Sequence, residues 1–457
     1  MILNKPMLVE NNKTKRNWAG NQIWTPEKTF YPNTLEDVRE VVKTASIENK
    51  KVKVVGSGHS FSACSKTEGL QVNTTNLKKI LAFDPENLLI EVEAGIVLRD
   101  LYKFLDEKGV ALPSLPNTDS ITLGGAVANC THGTNVHFGT FSSYVVGVKL
   151  LTANGDLLNL NRHDENEVNR KYFEASLASF GSIGIFYSIT LQLVPTYDIL
   201  CSKYTSTTGE AKKNITQIAK NHDSAQFIFL PFSNSVLIKT QDKLEINSLP
   251  YCKTPGEDNI VVDTIFYFFK PTRLKVLTKL FQYVSRTYPF LFFIRRFYKS
   301  ELVGKWWEGE VSKEKTKFFT MEYAVALHDI EKVLDKLFDI AKVFEHSGEY
   351  TRNLPFILRP VGADEIGFLS PAYKRETCYI DILFQSNDGK EVRFYKEMEK
   401  ALLCFGGRVA WSRKFFATGP EVLANYPKQS SFLAVMMKLD PKGMFSNDFA
   451  SGIFSNS

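Results

Sequence analysis

The chain has 457 residues, 44% hydrophobic and 23% charged: too long for one compact core and of ordinary globular composition, so two or more domains are expected. A net charge of +6 over that length, with no dense Lys/Arg block, argues against an electrostatic nucleic-acid binder. No run of about 18 uncharged apolar residues offers a membrane span, and the polar stretch from Met1 to Trp18 lacks a signal-peptide core.

The six cysteines, at 64, 130, 201, 252, 378 and 404, are scattered without CxxC or other metal-ligand spacing. Free thiols in a reducing, cytoplasmic compartment and no bound metal are therefore expected. Thr34, followed three residues later by Asp37, is a capping-box start, and Val38, Val41, Val42 and Ala45 continue it as a helical stripe. Val52 to Val55 reads as a strand that breaks into Gly56-Ser57-Gly58-His59-Ser60. Two glycines around a serine allow a tight turn with inward N–H groups, the geometry that cradles phosphate. Neither a Walker loop nor a dinucleotide fingerprint is present, because the Gly-Lys-Ser/Thr of the first and the third glycine of the second are missing. Taken alone, the loop is equally an ordinary Gly-rich turn with an exposed His.

Leu88 to Val92 reads as a strand and Leu98 to Leu105 as an amphipathic helix ending at Gly109. Alternation of this kind without strict βαβ spacing predicts an α+β fold. A second small-residue stretch runs from Leu123 to Thr134, and a third covers Gly181-Ser182-Ile183-Gly184-Ile185 before the alternating strand Tyr187 to Val194. Phe227–Phe232 and Val236–Lys239 predict paired strands joined at Ser233-Asn234. The aromatic segment from Thr264 to Tyr298, with Arg295 and Arg296, reads either as a helix packed over a cap sheet or as a peripheral membrane surface. Phe318 to Val325 is a strand with Met321 and Tyr323 on one face and Glu322 on the other. Ile330 to Glu345 is an amphipathic helix; Pro355–Arg359 and Cys378–Phe384 are two further strands.

Taken in order, Gly56-Ser57-Gly58-His59-Ser60, Ala94-Gly95, Leu112-Pro113-Ser114, Thr122-Leu123-Gly124-Gly125, Thr131-His132-Gly133-Thr134 and Gly181-Ser182-Ile183-Gly184 resemble the FAD-binding half of the vanillyl-alcohol-oxidase (PCMH-type) superfamily, and within it the aldonolactone oxidoreductase branch. The likeness covers about residues 15–195 well, and continues thinly through Met321–Val325, Arg359, Ala363-Asp364 and Asp440–Phe445.

The resemblance implies a PCMH-type FAD domain over 1–197, a substrate-binding cap of antiparallel sheet and helices over 198–400, and a segment over 401–457 returning to the flavin. It implies that Val55 to Ser60 wrap the FAD pyrophosphate and that His59 carries a covalent flavin bond. Gly124, Gly125, Asn129, Thr131, His132, Gly133 and Thr134 would lie by the flavin ring, and Gly181, Gly184 and Ile185 by the ADP part. Glu322, Arg359, Arg413 and Lys414 are the implied substrate-side residues. The branch's His-Trp-x-Lys is here Ala410-Trp411-Ser412-Arg413-Lys414. An arginine holds its proton firmly and presents a planar fork suited to a carboxylate, phosphate or lactone oxygen. The implied activity is oxidation of a sugar-type alcohol or aldono-1,4-lactone by hydride transfer to FAD, with oxygen or a carrier as acceptor. The alternatives are a polyol or a phosphate- or lipid-linked sugar as substrate, or a flavin-binding protein without turnover.

Overall fold

The computed structural model describes residues 6–229, 234–250, 299–308, 318–347, 355–384 and 392–454. The apolar run ahead of the Gly-Ser-Gly-His-Ser loop is a strand, Val52–Val55, at the edge of a four-stranded sheet ordered Leu8–Asn11, Lys28–Tyr31, Leu70–Asn73, Val52–Val55. Its last two pairings are parallel, which leaves the loop at the carboxyl end of a parallel strand. Helix Leu35–Ile47 covers this sheet. It begins with the expected box: Thr34 Oγ1 accepts from the Asp37 N–H, and the Asp37 carboxylate accepts from the Thr34 N–H. Val38, Val41, Val42 and Ala45 pack with Phe30, Leu70 and Val72 into one core.

A second, antiparallel sheet has the order Leu157–Asn161, Val145–Leu151, Ile185–Gln192, Leu89–Glu93, Ile80–Asp84. Helix Leu98–Glu107 buries Leu98, Leu101, Tyr102 and Leu105 beside it.

The third sheet has eight antiparallel strands, in the order Lys299–Lys305, Asp198–Thr207, Ser235–Leu244, Ser224–Phe229, Phe356–Val361, Thr377–Phe384, Phe319–Ala326, Arg408–Val409. It is built from two strand–helix–strand–strand units with the same internal order. Asp198–Thr207, helix Thr208–Asn221, Ser224–Phe229 and Ser235–Leu244 form one; Phe319–Ala326, helix Ile330–His346, Phe356–Val361 and Thr377–Phe384 form the other. In each unit the third strand lies between the first and second, and the second strands pair with each other, Ile228 opposite Ile357. Helix Ile330–His346 buries Ile330, Val333, Leu334, Leu337, Ala341 and Phe344, as its spacing requires. With helices on one side, the other side of this sheet is free to wall a cavity.

The chain then comes back to its beginning. Phe61 N–H donates to Ser412 O (2.6 Å), and the Asn447 amide donates to Ala63 O, Cys64 O and Lys66 O. The buried Lys53 ammonium donates to Phe180 O, Gly181 O and Phe445 O, joining three distant segments at one nitrogen. Burial lowers its pKa to about 8.

The α+β class holds. The last strand of the cap sheet, Arg408–Val409, lies beyond residue 400. The Ser233 turn, the aromatic segment 264–298 and Cys252 fall outside the described residues. Among the described residues the cysteines are free, no His/Cys/Asp/Glu group could hold a metal, and no helix is long and apolar enough to cross a membrane.

Candidate active site

One large cavity runs between the FAD-type loops and the cap sheet. Val55, Gly56, Ser57, Gly58, His59, Ser60, Gly124, Gly125, Asn129, Thr131, His132, Gly181 and Gly184 line it from the first half of the chain; Glu322, Arg359 and Arg413 line it from the second. Gly56 is dictated by proximity: a Cβ there would sit 2.0 Å from Thr122 Oγ1. Gly58 is dictated by conformation, with φ at +70°. Among the described residues, no protein group accepts from the backbone N–H of Ser57, Gly58, His59 or Ser60. A row of unpaired N–H groups on a cavity wall demands an anion, and a pyrophosphate fits it.

His59 stacks on Trp18 with ring centroids 5.4 Å apart, and the Trp18 N–H donates to Gly58 O. Burial, and then Arg413, lower the His59 pKa to about 4, so the imidazole is neutral at physiological pH. These residues fit FAD: donors for its phosphates, small residues at Gly124 and Gly125, and a neutral imidazole on the wall.

The cap side is a charge cluster centred on Glu322, only 1% exposed. Its Oε1 lies 3.2 Å from His132 Nε2 and 3.4 Å from Arg359 Nη1; its Oε2 accepts from Arg413 Nε at 2.9 Å. Burial would raise its pKa, but Arg413, His132 and Arg359 outweigh burial and hold it well below the usual range. His132 is fixed by Nδ1 against Gly133 O (2.9 Å) and by stacking on Tyr379 at 3.5 Å between centroids. Arg413 also lies over the Phe61 ring, 5.0 Å from its centroid.

A second carboxylate, Asp381, sits beside this cluster and was not anticipated from the sequence. It faces Glu322 across the strand pair and is 3% exposed. Its Oδ2 accepts from Arg359 Nη2 at 3.1 Å, its Oδ1 is buried, with the Thr320 hydroxyl as a neighbour of the carboxylate, and the residue lines the cavity. Burial and the charge of Glu322 push its pKa up, against the pull of Arg359 and Arg413. Two neighbouring carboxylates are thus driven apart: one held by two arginines and firmly ionised, the other buried with raised affinity for a proton.

Several anticipated residues stand elsewhere. Lys414 does not line the cavity; its ammonium lies over the Phe319 and Phe416 rings, because Arg413 takes the inward position. Trp411 is wholly buried, donating from Nε1 to Leu369 O, and packs behind the wall. Gly133, Thr134 and Ile185 support the lining without joining it: Thr134 Oγ1 meets Ser224 Oγ, and Ile185 belongs to the core of the first sheet.

The comparisons with known proteins agree with this architecture. An FAD binding domain profile matches residues 26–161, and the D-arabinono-1,4-lactone oxidase profile matches residues 189–453. L-gulonolactone oxidase of Bos taurus is 30% identical over 96% of this chain and 98% of its own length. L-gulono-1,4-lactone dehydrogenase of Mycobacterium tuberculosis is 26% identical over 95% and 97%. The solved cholesterol oxidase of B. sterolicum shares the fold, with a TM-score of 0.79 and 16% identity over 99% of both chains. With the profile spanning more than half of its length and a relative aligned almost end to end, the chain belongs to the D-arabinono-1,4-lactone oxidase family of FAD-linked oxidoreductases.

Proposed function

We propose that this protein oxidises a hydroxyl-bearing carbon of an aldono-1,4-lactone, with FAD held by the Val55–Ser60 loop and oxygen as the final electron acceptor. The observation that carries the reading is Asp381, a cavity-lining carboxylate of raised proton affinity beside the arginine-held Glu322, in the same cavity as the unpaired N–H row of Ser57–Ser60. The names of the relatives support the substrate class, and the name of the matched family supports oxygen.

Bound FAD supplies a hydride acceptor. The protein does the rest. Asp381 takes the hydroxyl proton as the C–H bond breaks, the role of a positioned general base. Arg359 holds the Asp381 carboxylate in place and, with Arg413, offers fixed positive charge to the oxygen that becomes negative as its proton leaves. Glu322 fixes both guanidiniums and His132, and so orients the donors rather than accepting the proton. His59, neutral at physiological pH and on the cavity wall, is the proposed point of covalent flavin attachment.

The test begins with anaerobic mixing of the holoenzyme with L-gulono- and D-arabinono-1,4-lactone. Bleaching of the flavin, followed by peroxide formation on admitting air, is expected; a flavin that neither lactone bleaches overturns the reading. For attachment, acid precipitation of the wild type leaves yellow protein, and His59→Ala releases the colour to the supernatant. Release from the wild type as well refutes the covalent bond.

A further inference from the structure

The side of the cap sheet that faces the cavity carries a file of polar side chains across six strands. Register fixes its order. Glu322 is opposite Asp381, and Arg359 reaches both from the next strand. With its carboxamide oxygen turned inward, Asn117 accepts from Arg359 Nε and Nη2 and from Gln226 Nε2, each at 3.2 Å. Gln226 is directly opposite Lys239, and Lys239 is directly opposite Lys203. One end of the file is acidic, the other basic.

The two ends differ in how their charge is met. At the acidic end every carboxylate touches a cation. At the basic end, among the described residues, no carboxylate comes within ion-pair distance of Lys239 or Lys203. Like charges directly opposite on one sheet face oppose pairing. Lys239 also lines the cavity, and burial, Lys203 and Arg359 depress its pKa to about 8. A residue that costs stability by its burial and by its neighbouring cations, and lines the ligand cavity, is built for a ligand's negative charge. Among the described residues, an uncharged lactone leaves it unmatched.

We propose that Lys239, seconded by Lys203 and Gln226, forms a subsite for an anionic substituent of the substrate, a phosphate or carboxylate carried on the sugar remote from the carbon that is oxidised. The substrate class is then an acidic or phosphorylated aldonolactone or related polyol. This rests on the reading of the Glu322–Asp381–Arg359 cluster as the oxidation site: the file places the basic end on the same cavity wall, with Arg359, Asn117 and Gln226 as a hydrogen-bonded bridge between the two. Gln226, a donor at the junction, suits an anionic oxygen as well as a hydroxyl.

The experiment is anaerobic flavin reduction by the holoenzyme, with three lactones that differ only at the terminal carbon: hydroxyl, phosphate monoester and carboxylate. An anionic lactone is expected to show an apparent Kd at least about tenfold below that of the neutral one, the scale of one charge-assisted hydrogen bond. Which anion ranks first separates a phosphate from a carboxylate subsite. Lys239→Met is expected to collapse the ratio of neutral to anionic Kd towards one, and Lys239→Arg to retain it. Met removes a buried charge, so folding is not at risk from the substitution. Equal affinity for all three lactones, or a preference that survives Lys239→Met, overturns the proposal. A second readout is independent of turnover: inorganic phosphate should raise the thermal midpoint of the wild-type holoenzyme and fail to raise that of Lys239→Met. If no lactone reduces the flavin yet phosphate stabilises only the wild type, the oxidation reading falls and the subsite stands; if the lactones react and phosphate is without effect, the reverse holds.

Discussion

Asp381→Asn and Glu322→Gln remove one carboxylate each from positions opposite one another, yet their consequences should be unlike. Asparagine keeps an oxygen for the Arg359 Nη2 contact and the shape of the side chain, but cannot accept a proton. Loss of a positioned base lowers the chemical step by about 10²- to 10⁴-fold. Glutamine at 322 instead leaves His132, Arg359 and Arg413 facing a neutral amide in a site 1% exposed. Breaking a buried ion pair by removing one partner costs on the order of 3–5 kcal/mol, so Glu322→Gln should lower the thermal midpoint markedly. Stopped-flow reduction across pH separates the two. In the wild type the rate falls with decreasing pH as Asp381 binds its proton, and because its pKa is raised this limb lies above the ordinary aspartate range. Asp381→Asn should be slow and lack the limb, with flavin content near wild type and a smaller fall in thermal midpoint than Glu322→Gln, because Arg359 keeps its pairing with Glu322. Asp381→Asn reducing within threefold of wild type, or Glu322→Gln losing the limb while Asp381→Asn keeps it, would refute the assignment.

Gly56→Ala places a Cβ 2.0 Å from Thr122 Oγ1 and 2.9 Å from its Cγ2, so the loop or the buried Thr122 must shift; the purified protein is expected to lose most of the wild-type flavin, read as the ratio of visible to ultraviolet absorbance. Lys53→Met probes the buried lysine that ties the loop strand to Gly181 and Phe445. Its folded pKa of about 8 lies below the ordinary lysine value of 10.5, so the unfolded chain binds more protons between these values, and wild-type stability gains up to roughly 3 kcal/mol from this group as pH rises through that window. Denaturant titrations at pH 7.5 and 10 should show the gain in the wild type and its absence in Lys53→Met; parallel pH profiles would mean that Lys53 is not held as described.

Much of this was legible in the sequence, and what was missed has physical causes. The Gly-Ser-Gly-His-Ser loop announces itself through residue types that only a tight, donor-rich turn needs. The helix at Leu35–Ile47 follows from its cap and stripe, and the strand face of Glu322 follows from alternation. Asp381 escaped because it stands alone in an apolar strand, Tyr379-Ile380-Asp381-Ile382, where alternation assigns the odd residue to solvent, and Lys239 because it opens the polar run Lys239-Thr240-Gln241-Asp242-Lys243, where one more charge draws no notice. For Asp381 a signal existed: one charge in an apolar strand that is covered on both sides has nowhere to go but a cavity or a pair. Lys53, in Val52-Lys53-Val54-Val55, obeys the same rule and turns out to be structural. The alignment of Arg413 with the lysine of His-Trp-x-Lys pointed to Arg413 over Lys414, but only through the resemblance. The choice is set by the chain's path after Arg408–Val409, where Ala410 N–H donates to Glu322 O and Lys414 N–H to Thr320 O, turning Arg413 inward.

The two strand–helix–strand–strand units explain why the acidic and basic ends occur together. Their second strands, Ser224–Phe229 and Phe356–Val361, form the seam of the sheet, and Gln226 and Arg359 lie on either side of it. The first unit brings Lys203, Lys239 and Gln226; the second brings Glu322, Arg359 and Asp381. In this arrangement the two units divide the labour. On the proposed reading, the second would position the reacting carbon, and the first would set which remote group the cavity accepts. The Asn117 bridge, from the FAD-side half, contacts both units at the seam and fixes their distance. Substitutions confined to the first unit should therefore alter the choice of substrate before they alter the rate of the chemical step, and substitutions in the second should do the opposite. A Lys239 variant that slows reduction at saturating lactone as much as Asp381→Asn does would show that the division across the seam is wrong.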